Sequence, residues 1–376
     1  MKKLILSISI LVLLASCAHI EAPSGGEGDK TPPLIEQSSL KNAQLNFTDS
    51  EIELKFNKYM NRNSVFENLT ISPKIKFTPK WSGKKLTIKF NEPLEDETTY
   101  SLQLSGKYQD YYNNLATDPF FLTFSTGNKI DTGKISGKII TENIKNKITI
   151  FAYNINEEED TINYFTEVPD YKTTAVATNG KFTIPALKDG KYRIIALEDL
   201  DNNGLISPKD NIGLPTYDPI ITNAKSDFMN IIMGGSVNKN LIDSLEKDTT
   251  SAKLDSLAEE PIFMEVSGKI DNFEVIQKQD NMYILFYNKK NEYTVKIEEK
   301  GNYKFEQFLE GTYSIIVFND KNKNGKFDKG SLIPFEFCET FYTTNQTLIV
   351  RKNWNITDFL IEIIPNWITS FLLYKL

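Results

Sequence analysis

Between residues 34 and 127, apolar and polar side chains alternate in short runs. Ile52, Leu54 and Phe56 are separated by Glu53 and Lys55. Leu69 and Ile71 follow, then Leu86, Ile88 and Phe90 around Thr87 and Lys89, then Tyr100, Leu102 and Leu104, and finally Leu122 and Phe124. A period of two buries one face of a strand and wets the other. Pro73, Pro79, Gly83, Pro93 and Gly106 punctuate the runs. Short strands at this spacing predict a β-sandwich.

The chain beyond repeats itself. "ISGKI" at 135–139 returns as "VSGKI" at 266–270. "NGKFTIPALKDGKYRIIALEDLDNNG" at 179–204 returns, in a constant register of 121, as "KGNYKFEQFLEGTYSIIVFNDKNKNG" at 300–325. Such self-similarity marks duplicated units, each read as strands separated by Gly turns and placed at 133–222 and 263–363. The stretch 223–262 between them turns polar and acidic and is read as a linker, with a short helix around Leu241–Lys247. Residues 364–376 are apolar but too short to span a membrane.

The first residues, "MKKLILSISILVLLASCAHI", join two lysines to an apolar run of signal-peptide length. Leu14-Ala15-Ser16-Cys17 resembles the lipobox of bacterial lipoproteins. That resemblance implies cleavage after residue 16 and acylation of Cys17, hence a membrane anchor. Residues 17–33, rich in Gly, Pro and acids, form a flexible tether.

Two further resemblances bear on the fold. "DKTPPLIEQSS", "IELKFNKYM", "LTISP", "KKLTIKFNEPLEDETTYSLQLSG" and "FLTFSTG" resemble a bacterial Ig-like domain of the S-layer type. That module is known in envelope lipoproteins of the Bacteroidetes type. The duplicated unit, in its "G-K-F…L…G-K-Y" pattern, resembles the carboxypeptidase-regulatory-like or prealbumin-like β-sandwich, which implies a non-catalytic module. The expected fold is all-β: serial β-sandwiches, one Ig-like and two prealbumin-like, behind a lipoprotein signal peptide.

Composition narrows the function. Formal net charge is -7, without a basic cluster, so nucleic acid is excluded as a partner. Removing residues 1–16 takes away Lys2 and Lys3 and leaves 41 basic against 50 acidic side chains. With Cys17 acylated, Cys338 is the remaining thiol and no intramolecular disulfide can form. The single histidine, His19, lies two residues past the lipid site. This excludes Ser-His-Asp, Cys-His and His-zinc chemistry. Abundant acids keep a carboxylate-based glycoside hydrolase as a remote alternative, which would need a cleft lined by two carboxyls.

Three sets of residues carry candidate chemistry. "DLDNNGLISPKD" at 199–210 has the oxygen spacing of an EF-hand loop. Asp199, Asp201, Asn203, the Leu205 carbonyl, Ser207 and Asp210 are its candidate calcium ligands. The second copy supplies a weaker set: Asp320, Asn322, Asn324, Lys326 through its carbonyl, Asp328 and Ser331. Plain hairpin turns also favour Asp, Asn and Gly, but recurrence of the spacing in both copies points to Ca2+, the one cofactor expected. "YQDYY" offers Tyr108, Tyr111 and Tyr112 as aromatic contacts for a glycan, against the alternative of tyrosines half-buried on the sandwich end. Ser244, Thr249 and Ser256 lie in motifs that resemble the Asp-Ser/Thr-apolar acceptor of Bacteroidetes O-glycosylation.

The resulting expectation is a lipid-anchored, non-catalytic envelope protein with a structural, scaffolding or recognition role. It would face either side of the outer membrane and bind an envelope protein or glycan. The competing expectation is a glycan- or peptide-capturing accessory lipoprotein of an uptake complex.

Overall fold

The structure, a computed structural model, describes residues 28–105, 107–141, 147–155, 162–176, 179–222, 226–238, 261–276 and 279–364. Cys17 and the leader, Ser244, Thr249, Ser256 and the tail beyond Ile364 lie outside the described residues.

The first module is a sandwich of two sheets. One holds β1 (Ile35–Ser38), β2 (Glu51–Phe56), β4 (Phe77–Ser82) and β5 (Lys85–Phe90) in the order β1-β2-β5-β4. The other holds β3 (Leu69–Ser72), β6 (Thr99–Leu104) and β7 (Phe120–Ser125) in the order β3-β6-β7. The alternating residues do what their period predicts: Ile52, Leu54, Phe56, Leu86, Ile88, Tyr100, Leu102 and Phe124 meet in one core. Tyr100 stacks on Phe124 at 5.4 Å between ring centroids. The helix of this module, α1 (Arg62–Asn68), starts where Asn61 Oδ1 accepts the Ser64 N–H at 3.1 Å, an N-cap of the usual kind.

The second module comprises β8 (Gly133–Ile140), β9 (Ile148–Asn154), β10 (Tyr171–Thr174), β11 (Lys181–Leu187), β12 (Gly190–Glu198), β13 (Asn211–Leu214), β14 (Ile220–Ile221) and β15 (Ser226–Gly235). Its strand order is β10-β9-β12-β13-β15-β8-β11, with β14 beside β12. The third module comprises β16 (Met264–Ile270), β17 (Met282–Tyr287), β18 (Glu292–Lys296), β19 (Asn302–Phe308), β20 (Gly311–Asn319), β21 (Phe341–Val350) and β22 (Ile356–Ile361). Its sheets run β18-β17-β20-β21 and β19-β16-β22: β16 to β20 pair among themselves as β8 to β12 do, and β21 lies beside β20 as β13 and β14 lie beside β12, whereas β13 also pairs with β15 and so joins the second module's strands in one sheet. In each copy the last strand pairs parallel to the first: β15 with β8, and β22 with β16. That close approach explains the glycine of the repeated "SGKI". A Cβ on Gly137 would lie 2.2 Å from the Met229 carbonyl oxygen, and one on Gly268 2.0 Å from that of Phe359.

Two expectations need correction. The residues of β15 fall inside the stretch read as linker, yet they complete the second module's sheet. Their apolar run, "FMNIIM", lacks alternation because both faces are covered. Met229 and Ile231 enter the module's own core, while Ile232 packs on Leu285, Ile316 and Phe318 of the third module. The second and third modules are therefore not separate beads. Phe151, Ile195, Leu197, Ile212 and Leu214 on the outer face of the second are covered by Leu332 and Phe335 of the third. Backbone bonds stitch the joint: Ser236 N–H to Gly330 O at 3.0 Å, Leu332 N–H to Ser236 O at 2.8 Å and Cys338 N–H to Pro215 O at 3.1 Å. At its centre Arg193 holds Asp218 through Nε at 2.7 Å and a terminal nitrogen at 3.0 Å, donates to Tyr164 Oη at 3.0 Å, and lies 3.5 Å from the Phe335 ring centroid.

The first module meets the second through polar contacts. Thr173 Oγ1 donates to Gln103 Oε1 at 3.1 Å and Lys188 Nζ to Thr98 Oγ1 at 2.9 Å.

Candidate functional site

Three loops of the first module surround a cleft of about 1030 Å³. The turn after β2 contributes Asn57 to Arg62, the β4–β5 hairpin contributes Gly83 and Lys84, and the segment between β6 and β7 contributes Tyr111 and Tyr112. Tyr59, Tyr111 and Tyr112 are 63%, 71% and 72% exposed. Their outward pose follows from what is pinned inward. Asp110 is fully buried and accepts from the backbone N–H groups of Tyr112 (2.8 Å) and Asn114 (2.9 Å), from Asn114 Nδ2 (2.8 Å) and from Lys58 Nζ (3.3 Å). The Tyr111 N–H donates to Tyr59 O at 2.9 Å. With this turn fixed, the next two side chains have no route to the core. Tyr108 is a correction to the sequence expectation: it is 3% exposed and packs edge-on against Phe56.

The cleft is electrostatically ordered. Lys58 Nζ reaches Asp29 at 2.7 Å and Asp110 at 3.3 Å. Desolvation opposes its charge, but these two hydrogen bonds outweigh it and raise its pKa. The Lys58 and Thr31 hydrogen bonds hold Asp29 well below the usual carboxylate range. For Asp110, burial favours the neutral acid, but the Asn114, Lys58 and Tyr112 hydrogen bonds prevail and lower its pKa. Arg62 sits 5.9 Å from the ring of half-buried Trp81, and Lys84 Nζ 5.7 Å from that of Tyr59, both within cation–π range. Nothing in the sequence singled out Tyr59, Arg62 or Lys84, because the cleft brings together loops distant along the chain.

The loop at 199–210 brings its predicted acids together. Carboxylate oxygens of Asp199, Asp201 and Asp210 lie within 4.8 Å of one another. Asp199 accepts the N–H groups of Asn203 (3.2 Å) and Gly204 (2.8 Å), and Asn203 Oδ1 that of Leu205 (2.6 Å). Asp210, 7% exposed, accepts from Leu200 N–H (2.9 Å) and Ser207 N–H (2.7 Å). Among the described residues, the buried Ser207 hydroxyl oxygen has no hydrogen-bond partner.

The second loop repeats the first half of this arrangement. Asp320 accepts from Asn324 N–H (3.2 Å) and Gly325 N–H (2.8 Å), and Asn324 Oδ1 from Lys326 N–H (2.7 Å). The Asn322 and Asn324 amides both donate to Asp328 Oδ2, at 2.6 and 2.9 Å. The closing carboxylate is a second correction. The backbone of Ser331, in register with Asp210, bridges instead to Ser236 across the module joint and to Glu336 within its own module. The work of Asp210 falls to Glu339, which accepts from Lys321 N–H (2.7 Å) and Asp328 N–H (3.1 Å), the partners equivalent to Leu200 and Ser207. Burial, then the charges of Asp328 and Asp320, push the Glu339 pKa up.

Residues 29–126 match the family described as a bacterial Ig-like domain. The chain carries an Ig-like domain. Residues 266–339 match a family described as an uncharacterized protein conserved in bacteria (DUF2141), which covers much of the third module. No curated protein matches the chain. Among solved structures, a streptococcal ancillary pilin is similar at 10% identity over 77% of this chain and 81% of its own, with a TM-score of 0.19. The N-terminal part of the bacterial S-layer protein SbsC is similar at 15% identity over 54% and 44%, TM-score 0.19. An L,D-transpeptidase from Mycobacterium smegmatis is similar at 11% identity over 44% and 76%, TM-score 0.21. TM-scores this low carry neither architecture nor activity over to this chain.

Proposed function

We propose that this protein is a lipid-anchored, non-catalytic recognition protein of the bacterial outer membrane, and that the cleft of its Ig-like domain captures a glycan. The observation that carries this reading is the gathering of Tyr59, Tyr111 and Tyr112, all exposed, around one cleft. Single exposed aromatics are ordinary. Three held around one concavity, with amides beside them, offer ring faces for sugar C–H groups and amide donors for hydroxyls. The acids favour binding over hydrolysis. Asp29 and Asp110 are both kept ionised by hydrogen bonds, Lys58 among the donors, and a glycosidase needs one carboxyl protonated. The Cys17 lipid would hold the chain at the membrane. The fused second and third modules would serve as a rigid body on which partners of the envelope assemble, and glycosylation at Ser244, Thr249 and Ser256 would decorate the connection between them.

Affinity electrophoresis of the full chain in gels containing polysaccharides tests the reading. Retardation by at least one polysaccharide, lost in the Tyr111→Ala/Tyr112→Ala variant, is expected. Retardation by none, or equal retardation of the variant, overturns it. Cys17→Ser should move the protein out of the membrane fraction.

The convergence of Asp199, Asp201 and Asp210, beside a buried hydroxyl that has no partner among the described residues, favours a second role for the first loop: a calcium ion that stiffens the turn between β12 and β13.

A further inference from the structure

We infer that the glycan taken by the cleft is acidic, its sugar carboxylates received by Arg62 and Lys84; this rests on the glycan reading above. The chain as a whole is anionic, with 50 acidic against 43 basic side chains. The cleft departs from that balance. Of its three cations, Lys58 is neutralised within the protein by Asp29 and Asp110. Arg62 and Lys84 are exposed, and among the described residues neither has a carboxylate within ion-pair distance. Each is instead placed beside an aromatic ring: Arg62 against Trp81, Lys84 over Tyr59 while donating to Asn57 O at 2.6 Å.

Two unpaired cations set beside ring faces form a composite surface. Ring faces accept the apolar side of a sugar, and the cations accept its charge. Arginine suits this role because its planar fork meets a carboxylate with two parallel hydrogen bonds, and a cation–π contact with an indole leaves those donors free. Arg62 also opens α1, directly after the Asn61 cap, so its Cα is fixed by a regular element. A neutral glycan would use the tyrosines and leave both cations idle. An acidic peptide would use the cations but offer little to three ring faces.

The test compares galacturonate, glucuronate and mannuronate oligosaccharides with their methyl esters, which keep the sugar and remove the charge. Poly-glutamate is the peptide control. Binding to the full chain is followed by calorimetry. The expected result is that at least one acidic series binds about tenfold or more tighter than its ester, the scale of one or two charge-assisted contacts, and that added salt reduces this margin. Arg62→Ala/Lys84→Ala should reduce the acidic form to the level of the ester and leave ester binding unchanged. Tyr111→Ala/Tyr112→Ala should weaken both. All four side chains are exposed, and an unchanged melting temperature confirms that each variant is folded. Equal affinity for acid and ester, or an Arg62→Ala/Lys84→Ala variant that keeps the margin, overturns the inference and leaves the glycan reading standing. Poly-glutamate binding as tight as the best uronate overturns the choice of a glycan. Binding of none of these probes overturns the inference, and the polysaccharide gels then decide the broader reading separately.

Discussion

Replacing Arg193 by Met should loosen the joint between the second and third modules. Arg193 is 5% exposed and Asp218 8%. Among the described residues, their two hydrogen bonds, at 2.7 and 3.0 Å, are the closest charge neutralisation of the aspartate; Lys191 Nζ is 3.9 Å away with its side chain half in solvent. Methionine can fill much of the space but leaves Asp218 buried with a distant cation. Breaking such a pair from one side costs about 3–5 kcal/mol. Losing the cation–π contact with Phe335 adds up to about 2 kcal/mol when desolvated, although the terms overlap. We take about 3 kcal/mol as the expectation, allowing for Lys191 to swing inward. Urea unfolding followed by circular dichroism should show the transition of the fused modules moving to lower denaturant while that of the Ig-like domain stays. Because most of the cost is the orphaned carboxylate, Arg193→Met/Asp218→Asn should recover at least about 1 kcal/mol relative to Arg193→Met alone. A single-variant loss under about 1 kcal/mol, or no recovery in the double variant, would refute this account of the joint.

Three further outcomes are expected. Calcium should raise the melting temperature of the wild-type chain, by an amount equivalent to about 2.7 kcal/mol at a hundredfold excess over the dissociation constant; Asp210→Asn should abolish most of the gain, and an unresponsive wild type at millimolar calcium would dismiss the site. Gly268→Ala should cost about 1–3 kcal/mol through overpacking against the Phe359 carbonyl, measured by the same urea titration, with a loss under about 0.5 kcal/mol counting against the close approach. The Ig-like domain should weaken in acid. Asp29 and Asp110 have pKa values below the ordinary 3.8, so between that value and their folded-state values the unfolded chain binds more protons. Their contribution is therefore full above the ordinary value and declines as pH falls toward the folded ones. Thermal melts from pH 6 down to pH 2 should be less steep for Asp110→Asn than for the wild type, and parallel slopes would contradict the assignment.

How much of this was legible in the sequence varies by residue. The alternation of Ile52, Leu54 and Phe56 located β2, because a sandwich strand with one wet face writes its period plainly. The 121-residue register announced the duplication but not the contact between its copies. That contact was encoded in "RIIALE" and "SIIVFN", apolar on both faces of β12 and β20, a pattern that a strand buried on two sides shares with a helix segment. β15 was missed for the same reason. The loop at 199–210 was readable because its acids lie within one twelve-residue run. Glu339 was not, since it arrives eight residues beyond the twelve-residue frame; the one hint was the serine at 331, where the first copy has an acid. Tyr111 and Tyr112 could be suspected from composition, but their separation from Tyr108 depends on Asp110 anchoring the turn, and their neighbours Tyr59, Arg62 and Lys84 come from distant loops.

The parallel pairing of first and last strands has a mechanical consequence. In the second module the chain enters at the Lys134 end of the β8–β15 pair and leaves at the Ile232 end, with register from Ser226↔Lys134 to Ile232↔Ile140. In the third it enters beside Val266 and leaves beside Ile361. Tension that draws the entry and the exit of a module apart therefore runs along these strands, and the hydrogen bonds between them are strained together in shear. None can open ahead of the rest, as the outermost bond of a hairpin can. Resistance to pulling is set by the barrier to rupture, a rate rather than a stability. The strand order that makes the repeats look alike also makes each of them a clamp against pulling.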